Sequence, residues 1–229
     1  MARTSRDVLA RARWKHGLTL PSLTTFPALA RQLADIGRHC YERGWALGTS
    51  GNFSAVVSKE PLTLAITTSS VDKGLLEPAH IVAIDEGRRV LHGSGTPSAE
   101  AALHLAIVRS RGAGAVLHTH SVWSTILSEA TTDGSLTIEG YEMLKGLDGV
   151  RSHEHRERLP IVENTQNWAA AAPQIEAMLR EHPEAHGFLI RGHGLYTWGK
   201  DLAEAKRQIE ILEFLFEVMG RKRGVAWQQ

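Results

Sequence analysis

The chain has 229 residues, 42% apolar and 22% charged, with a formal net charge of +1 when histidine is neutral. That length can bury a sizeable core, and the charge balance excludes a strong field for nucleic acid or an anionic membrane surface. No apolar run reaches the roughly 20 residues that span a bilayer, the basic N-terminus lacks the apolar segment of a secretory signal, and a single cysteine, Cys40, cannot close an internal disulfide, so a reducing cytoplasm is the expected compartment.

In chain order, residues 1–26 are rich in Arg and Thr with little periodicity and read as an N-terminal tail; one domain is expected over 27–229. Pro27 opens a helix at an N1-like position, with Leu29, Leu33 and Ile36 at helical spacing and Gly44 at its end. Asn52–Ser58, Leu62–Thr68, Ile81–Ile84 and Val90–His92 read as strands separated by turn signals at 59–61 and 85–87. A helix over 98–110 has Ser98 as its N-cap, and Ser121 caps a short helix through Glu129. Residues 130–155 look irregular apart from a short helix near Tyr141–Lys145. A strand at Leu159–Val162 and a helix at Gln166–Arg180 follow. Strands at Phe188–Ile190 and Leu195–Trp198 bracket Gly192-His193-Gly194, and a last helix spans Asp201–Met219. The pattern predicts an α/β protein with three layers, α/β/α, around a central, mostly antiparallel sheet.

The strongest chemical signal is Ala115-Val116-Leu117-His118-Thr119-His120-Ser121. Residues i and i+2 of a strand share a face, so His118 and His120 point the same way, and neutral imidazole is the commonest metal ligand. His193 lies between two glycines that let the backbone turn tightly and approach another strand. Three histidines with an open position suit a catalytic zinc ion. Six other histidines, His104 among them, read as surface or packing residues, and His153-Glu154-His155 reads as part of a solvated charged loop. Two donor-rich turns, Gly48-Thr49-Ser50-Gly51-Asn52 and Thr67-Thr68-Ser69-Ser70, end near Lys73 and suit a phosphate, although the lysine spacing of a P-loop is absent. Glu100, Glu139 and Glu142 are candidate proton carriers. Cys40 reads as a small packing residue.

Taken together, Gly48–Asn52, Thr67–Ser70, Pro97–Glu100, His118-Thr119-His120 and Gly192-His193-Gly194 resemble the class II aldolase/adducin family in order and spacing, from about residue 27 to 219. The segments Glu142–Gly146, Leu159–Thr165 and Leu189–Gly199 are similar to those of the family's sugar-phosphate dehydratases. The resemblance implies one Zn2+ per subunit on His118, His120 and His193, and a homotetramer with sites near subunit interfaces. It implies a sugar phosphate whose phosphate lies against Gly48, Thr49, Ser50, Gly51, Asn52, Ser69 and Ser70, with Lys73 as countercharge. Family aldolases carry their acid/base at the Glu100 position and the dehydratases at the Glu142 position; Glu142 is the expected acid/base here, with Glu100 a substrate or metal neighbour or second proton carrier. Trp123 and Tyr141 are candidate apolar wall residues. An aldolase or epimerase on another sugar phosphate would use the same metal site. A non-catalytic adducin-like domain would lose the metal ligands, and all three are present.

Overall fold

The computed structural model describes residues 20–131 and 133–226; the part of the expected tail up to residue 19 lies outside the described residues. Helix α1 runs over Leu20–Glu42, so Pro27 sits inside it and residues 20–26 belong to the helix rather than to a tail. A proline removes one helical hydrogen bond but leaves the preceding turns free to form. Buried Phe26, Ala30, Leu33 and Ala34 continue one face across it.

Among the described residues nine strands form one sheet. They are β1 (Asn52–Lys59), β2 (Leu62–Thr67), β3 (Ile81–Asp85), β4 (Val90–His92), β5 (Ala115–Thr119), β6 (Ser135–Ile138), β7 (Glu157–Val162), β8 (Gly187–Ile190) and β9 (Gly194–Gly199). Their spatial order is β4-β3-β2-β1-β5-β9-β8-β7-β6, and every pair is antiparallel except β7 with β8. Strand β6 lies in the stretch expected to be irregular: Ser135-Leu136-Thr137-Ile138 is too short for its alternation to stand out, and pairing with β7 makes it a strand.

The other helices are α2 (Ala101–Arg111), α3 (Val122–Glu129), α4 (Trp168–Glu181) and α5 (Leu202–Ala226). Helices α1, α3 and α5 bury Leu33, Leu127 and Phe216 with Phe53 and Leu117 on one face of the sheet. Helices α2 and α4 bury Leu103, Ile107, Ile175 and Leu179 with Val116 and Tyr196 on the other. The layers are those expected. The start of α2 differs: Glu100 is its N-cap residue, and the Ser98 hydroxyl accepts the Glu100 N–H (3.2 Å) in the turn before it. Ser121 does cap α3, accepting the Ser124 N–H (3.0 Å). Among the described residues no helix is long and apolar enough to cross a membrane.

Because side chains alternate along β5, Leu117 faces the α1/α5 layer, whereas Val116 and His118 face the α2/α4 layer. The register sets His118 beside Asn52 on β1 and Tyr196 on β9, and those two neighbours build the floor of the site.

Candidate active site

His118, His120 and His193 converge at the end of β5. Their Nε2 atoms lie 2.7 Å (His118–His120), 3.0 Å (His120–His193) and 3.4 Å (His118–His193) apart. His193 reaches this point because the β8–β9 turn presses on β5: a Cβ on Gly194 would lie 2.0 Å from the Thr119 carbonyl oxygen, so only glycine fits. The His118 Nδ1–H donates to the Leu195 carbonyl (2.8 Å), which leaves a lone pair on Nε2. Burial holds all three imidazoles toward the neutral form, His118 well below the usual range and His120 down to about 2, and each of these two is lowered further by its histidine neighbours. Neutral imidazole is the form that binds metal. The arrangement fits a divalent cation.

Glu100 completes the cluster. Its Oε2 lies 3.2 Å from His118 Nε2 and its Oε1 lies 3.5 Å from His193 Nε2. Electron pairs from three rings and a carboxylate thus face one small volume, which strengthens the fit to a bound ion. Glu100 is held from behind: Oε2 accepts the Asn52 side-chain N–H (2.8 Å) and the Tyr196 hydroxyl (2.6 Å). Tyr196 stacks on His118 with centroids 4.0 Å apart, and burial keeps its phenol protonated. Asn52 Oδ1 meets the ring of buried His104, which also bonds Ser54 (2.6 Å). From the other face of the sheet, buried Glu213 takes the Thr119 hydroxyl (2.6 Å) between the paired histidines, and burial pushes its carboxyl up to about 7.

A cavity of about 300 Å³ opens beside this cluster, lined by Thr49–Asn52, Thr68–Ser70, Lys73, Ser98–Glu100, His120, Gln166 and Trp168. The two polar turns of the expected phosphate site therefore do meet. Gly51 fits only as glycine, since at φ +73° a Cβ would sit 2.7 Å from the His118 carbonyl oxygen. Asn52 lines the cavity too, and its amide also turns inward, donating to Glu100 and meeting His104, so it positions Glu100. The Ser50 hydroxyl donates to the Leu47 carbonyl (2.7 Å) and that of Ser69 to the Pro97 carbonyl (3.0 Å). Lys73 is buried, donates to the carbonyls of Thr49 and Val71 (3.0 Å each), and is lowered to about 8 by burial. An ammonium has three N–H groups, so one remains for a ligand. Lys73→Met is expected to raise KM for a phosphorylated substrate at least about tenfold with a smaller change in kcat, read from initial rates; an unchanged KM makes the lysine a structural prop for the loop.

The remaining candidates lie elsewhere. Within one chain Glu142 is exposed on a 3-10 turn (Glu142–Gly146) and pairs with Lys145 (2.7 Å), whose hydrogen bond and charge hold its carboxyl below the usual range. It lines a separate apolar groove with Tyr141, Met143, Ile211 and Phe214, so the chain alone does not bring the expected acid/base to the triad. Glu139 pairs with Arg156 (2.8 Å) at the surface. Neither expected wall residue lines the cavity: Trp123 stands against Gly220 of α5, and Tyr141 borders the groove. The apolar wall is Trp168, the first residue of α4, with its ring 5.8 Å from that of His193. Cys40 is buried, and burial lifts its thiol to about 12.

His104, Tyr196 and Trp168 were not legible as site residues. The signals available were the i, i+4 spacing of Glu100 and His104 and the His118–Tyr196 register. The histidines also set an acid response. His104 is lowered to about 4 by burial and His120 to about 2, and His118 and His193 are lowered as well, against 6.5 in the unfolded chain. Unfolding therefore takes up protons below pH 6.5, and stability falls as pH drops through the window between 6.5 and the folded values. Glu213, raised to about 7, opposes this and offsets one such group. The metal-free protein is expected to lose a few kcal/mol between about pH 7 and about pH 5.5, at about 1.4 kcal/mol per pH unit for each net proton, as measured by denaturant unfolding after chelation. Equal stability at both values contradicts the neutral cluster.

Fold and site together define an α/β protein with a cluster of three histidines and a carboxylate that could hold a metal ion, beside a polar cavity. The family model described as Class II Aldolase and Adducin N-terminal domain matches residues 31–219, and the chain belongs to that family. Among curated proteins it is 44% identical over 202 residues to a methylthioribulose-1-phosphate dehydratase of Pseudomonas fluorescens (strain Pf0-1), covering 88% of this chain and 96% of the relative. It is 42% identical over 199 residues to the protein of the same name from Sorangium cellulosum (strain So ce56), covering 86% and 93%. Among solved structures, YgbL from Escherichia coli, titled a putative aldolase/epimerase/decarboxylase, aligns at TM-score 0.70 and 26% identity over 85% of this chain and 89% of that one. An L-fuculose-1-phosphate aldolase from Thermus thermophilus aligns at TM-score 0.66 and 23% identity over 90% and 97%, a likeness of fold.

Proposed function

We propose that the chain is a zinc-dependent hydro-lyase that dehydrates 5-methylthioribulose 1-phosphate to 2,3-diketo-5-methylthiopentyl 1-phosphate in methionine salvage, acting as a cytoplasmic homotetramer. The observation that carries this reading is the triad with Glu100 beside it, opening on a cavity that offers a lysine and two hydroxyl-rich turns, in a chain closely related to proteins named for that activity.

A divalent ion on His118, His120 and His193 supplies Lewis-acid polarisation of substrate oxygens, worth several kcal/mol as charge develops there. The chain's own residues do the rest. Lys73, Thr49 and Ser70 bind the phosphate and orient the sugar, and Ser50 and Ser69 join them once their hydroxyls turn from the Leu47 and Pro97 carbonyls. Glu100, aimed by Asn52 and Tyr196, takes the C3 proton. The C4 hydroxyl leaves as water once it is protonated. Glu142 is the donor for that step, reaching the site from a neighbouring subunit, where it parts from Lys145 and takes up a proton before each turnover; support comes from its exposure beside the apolar groove, where Met143 and Phe214 stand solvent-exposed. The resulting enol becomes the diketone by gaining a proton at C4 and releasing the proton of its C3 hydroxyl. Trp168 packs against the methylthio end and keeps water away.

A second reading has one observation in its favour: Glu100 meets the triad within a single chain, at the position the family's aldolases use. That reading is an aldolase or epimerase on another sugar phosphate. Incubating zinc-loaded protein with 5-methylthioribulose 1-phosphate separates the two. Carbon NMR is expected to show the diketone; retro-aldol fragments, or no reaction while another sugar phosphate is consumed, overturn the dehydratase reading.

A further inference from the structure

A second group of metal-ligating side chains lies outside the cavity of the triad. His155, at the end of the irregular stretch before β7, Glu157, the first residue of β7, and His186, just before β8, bring one ligand atom each to within 4.8 Å of one another. Glu157 is buried and the two histidines are partly buried. Its Oε2 lies 2.9 Å from His155 Nε2 and 2.8 Å from His186 Nδ1. Its Oε1 accepts the His186 backbone N–H (2.9 Å).

The hydrogen positions are constrained. His186 Nε2 is 2.8 Å from the Asp148 carbonyl oxygen, which only accepts, so Nε2 carries a hydrogen. The other nitrogen of the same ring faces a carboxylate oxygen, which also only accepts. Two arrangements satisfy both contacts: a His186 imidazolium with the His155 Nε2–H donating to the same oxygen, or a cation held by all three side chains. The second has the features of a metal site. Two imidazoles and one carboxylate form a facial ligand set for a borderline divalent ion. A ligating ring whose other N–H is tied to a backbone carbonyl has its tautomer and orientation set for the task. A cavity of about 700 Å³, bordered by Asp148, Ser152, Glu184 and His186, leaves room for water to complete the coordination.

We propose that His155, Glu157 and His186 form a second, structural site for a divalent transition cation, with Zn2+ the fitting ion, that ties the 147–155 segment to the start of β7 and β8. Its ligands come from two places along the chain, 155–157 and 186, so the bound ion acts as a clip across the sheet's β7–β8 end.

The test uses the full chain without a histidine tag, stripped with chelator and titrated with CoCl2 or ZnCl2 by calorimetry, with bound metal counted by mass spectrometry after gel filtration. Wild type is expected to take up a second equivalent beyond that of the triad. His155→Ala and His186→Gln should each lose the second equivalent and keep the first. His193→Ala should show the reverse, which separates this site from the triad's. His155 sits at the partly exposed rim, so its variant decides the matter if His186→Gln misfolds by circular dichroism. Saturation of wild type at a single equivalent overturns the proposal, as does a second equivalent that survives in His155→Ala.

Discussion

His193→Ala is expected to abolish metal retention at the triad and to lower turnover by several powers of ten while leaving the fold intact. The residue lies on the β8–β9 turn, where its ring makes contacts with His118, His120, Trp168 and the edge of Glu100. Removing it leaves two imidazoles, and two imidazoles without a third ligand hold a catalytic ion poorly. The same substitution at His118 would be harder to read, because His118 is buried, sits in β5 and stacks on Tyr196. Metal content and kcat are measured on the same preparation. Retention of the triad's equivalent in the variant, counted apart from the equivalent at His155, Glu157 and His186, shows that the three rings do not share an ion. Normal metal with lost turnover shifts the role of His193 to the substrate.

Glu100→Gln is expected to keep the metal and lose roughly 10²–10⁴-fold in kcat, the range a positioned proton carrier contributes. The amide oxygen of glutamine can still accept from Asn52 and Tyr196, so the network that holds the side chain survives. Glu142→Gln is expected to fall in the same range for a different reason: it serves a neighbouring subunit. Mixing Glu142→Gln with His193→Ala, then exchanging subunits, should restore turnover, because about a quarter of sites in a random mixture carry both intact groups. Full activity of Glu142→Gln leaves Glu100 as the sole proton carrier. Two inactive variants that never complement one another overturn the cross-subunit role and place Glu142 within its own chain's site.

The pair His118/His120 stood out because a strand has a period of two, a local property that any neighbour sees. The strands β1 to β5 and the capping role of Ser121 were legible for the same kind of reason. Helix α1 was cut short at Pro27, since proline is a boundary signal in isolation and buried Phe26 outweighs it in the packed layer. β6 is not legible in the sequence, because four residues carry little pattern without the partner strand.

Local chemistry along the chain marked His118 and His120 by their spacing, His193 by its flanking glycines and the two polar turns by residue type, whereas Glu100 stood as one of three candidate glutamates with Glu142 the expected acid/base. It could not say what each group faces. Asn52 reads as one more donor of a glycine-rich turn, yet the pairing of β1 with β5 aims it at Glu100. Trp168, rather than Trp123 or Tyr141, walls the cavity because α4 packs on the His193 side of the sheet. Glu157 gathers His155 and His186 only because β7 and β8 run side by side. Those directions follow from long-range register and layer packing, and no run of neighbouring residues encodes them.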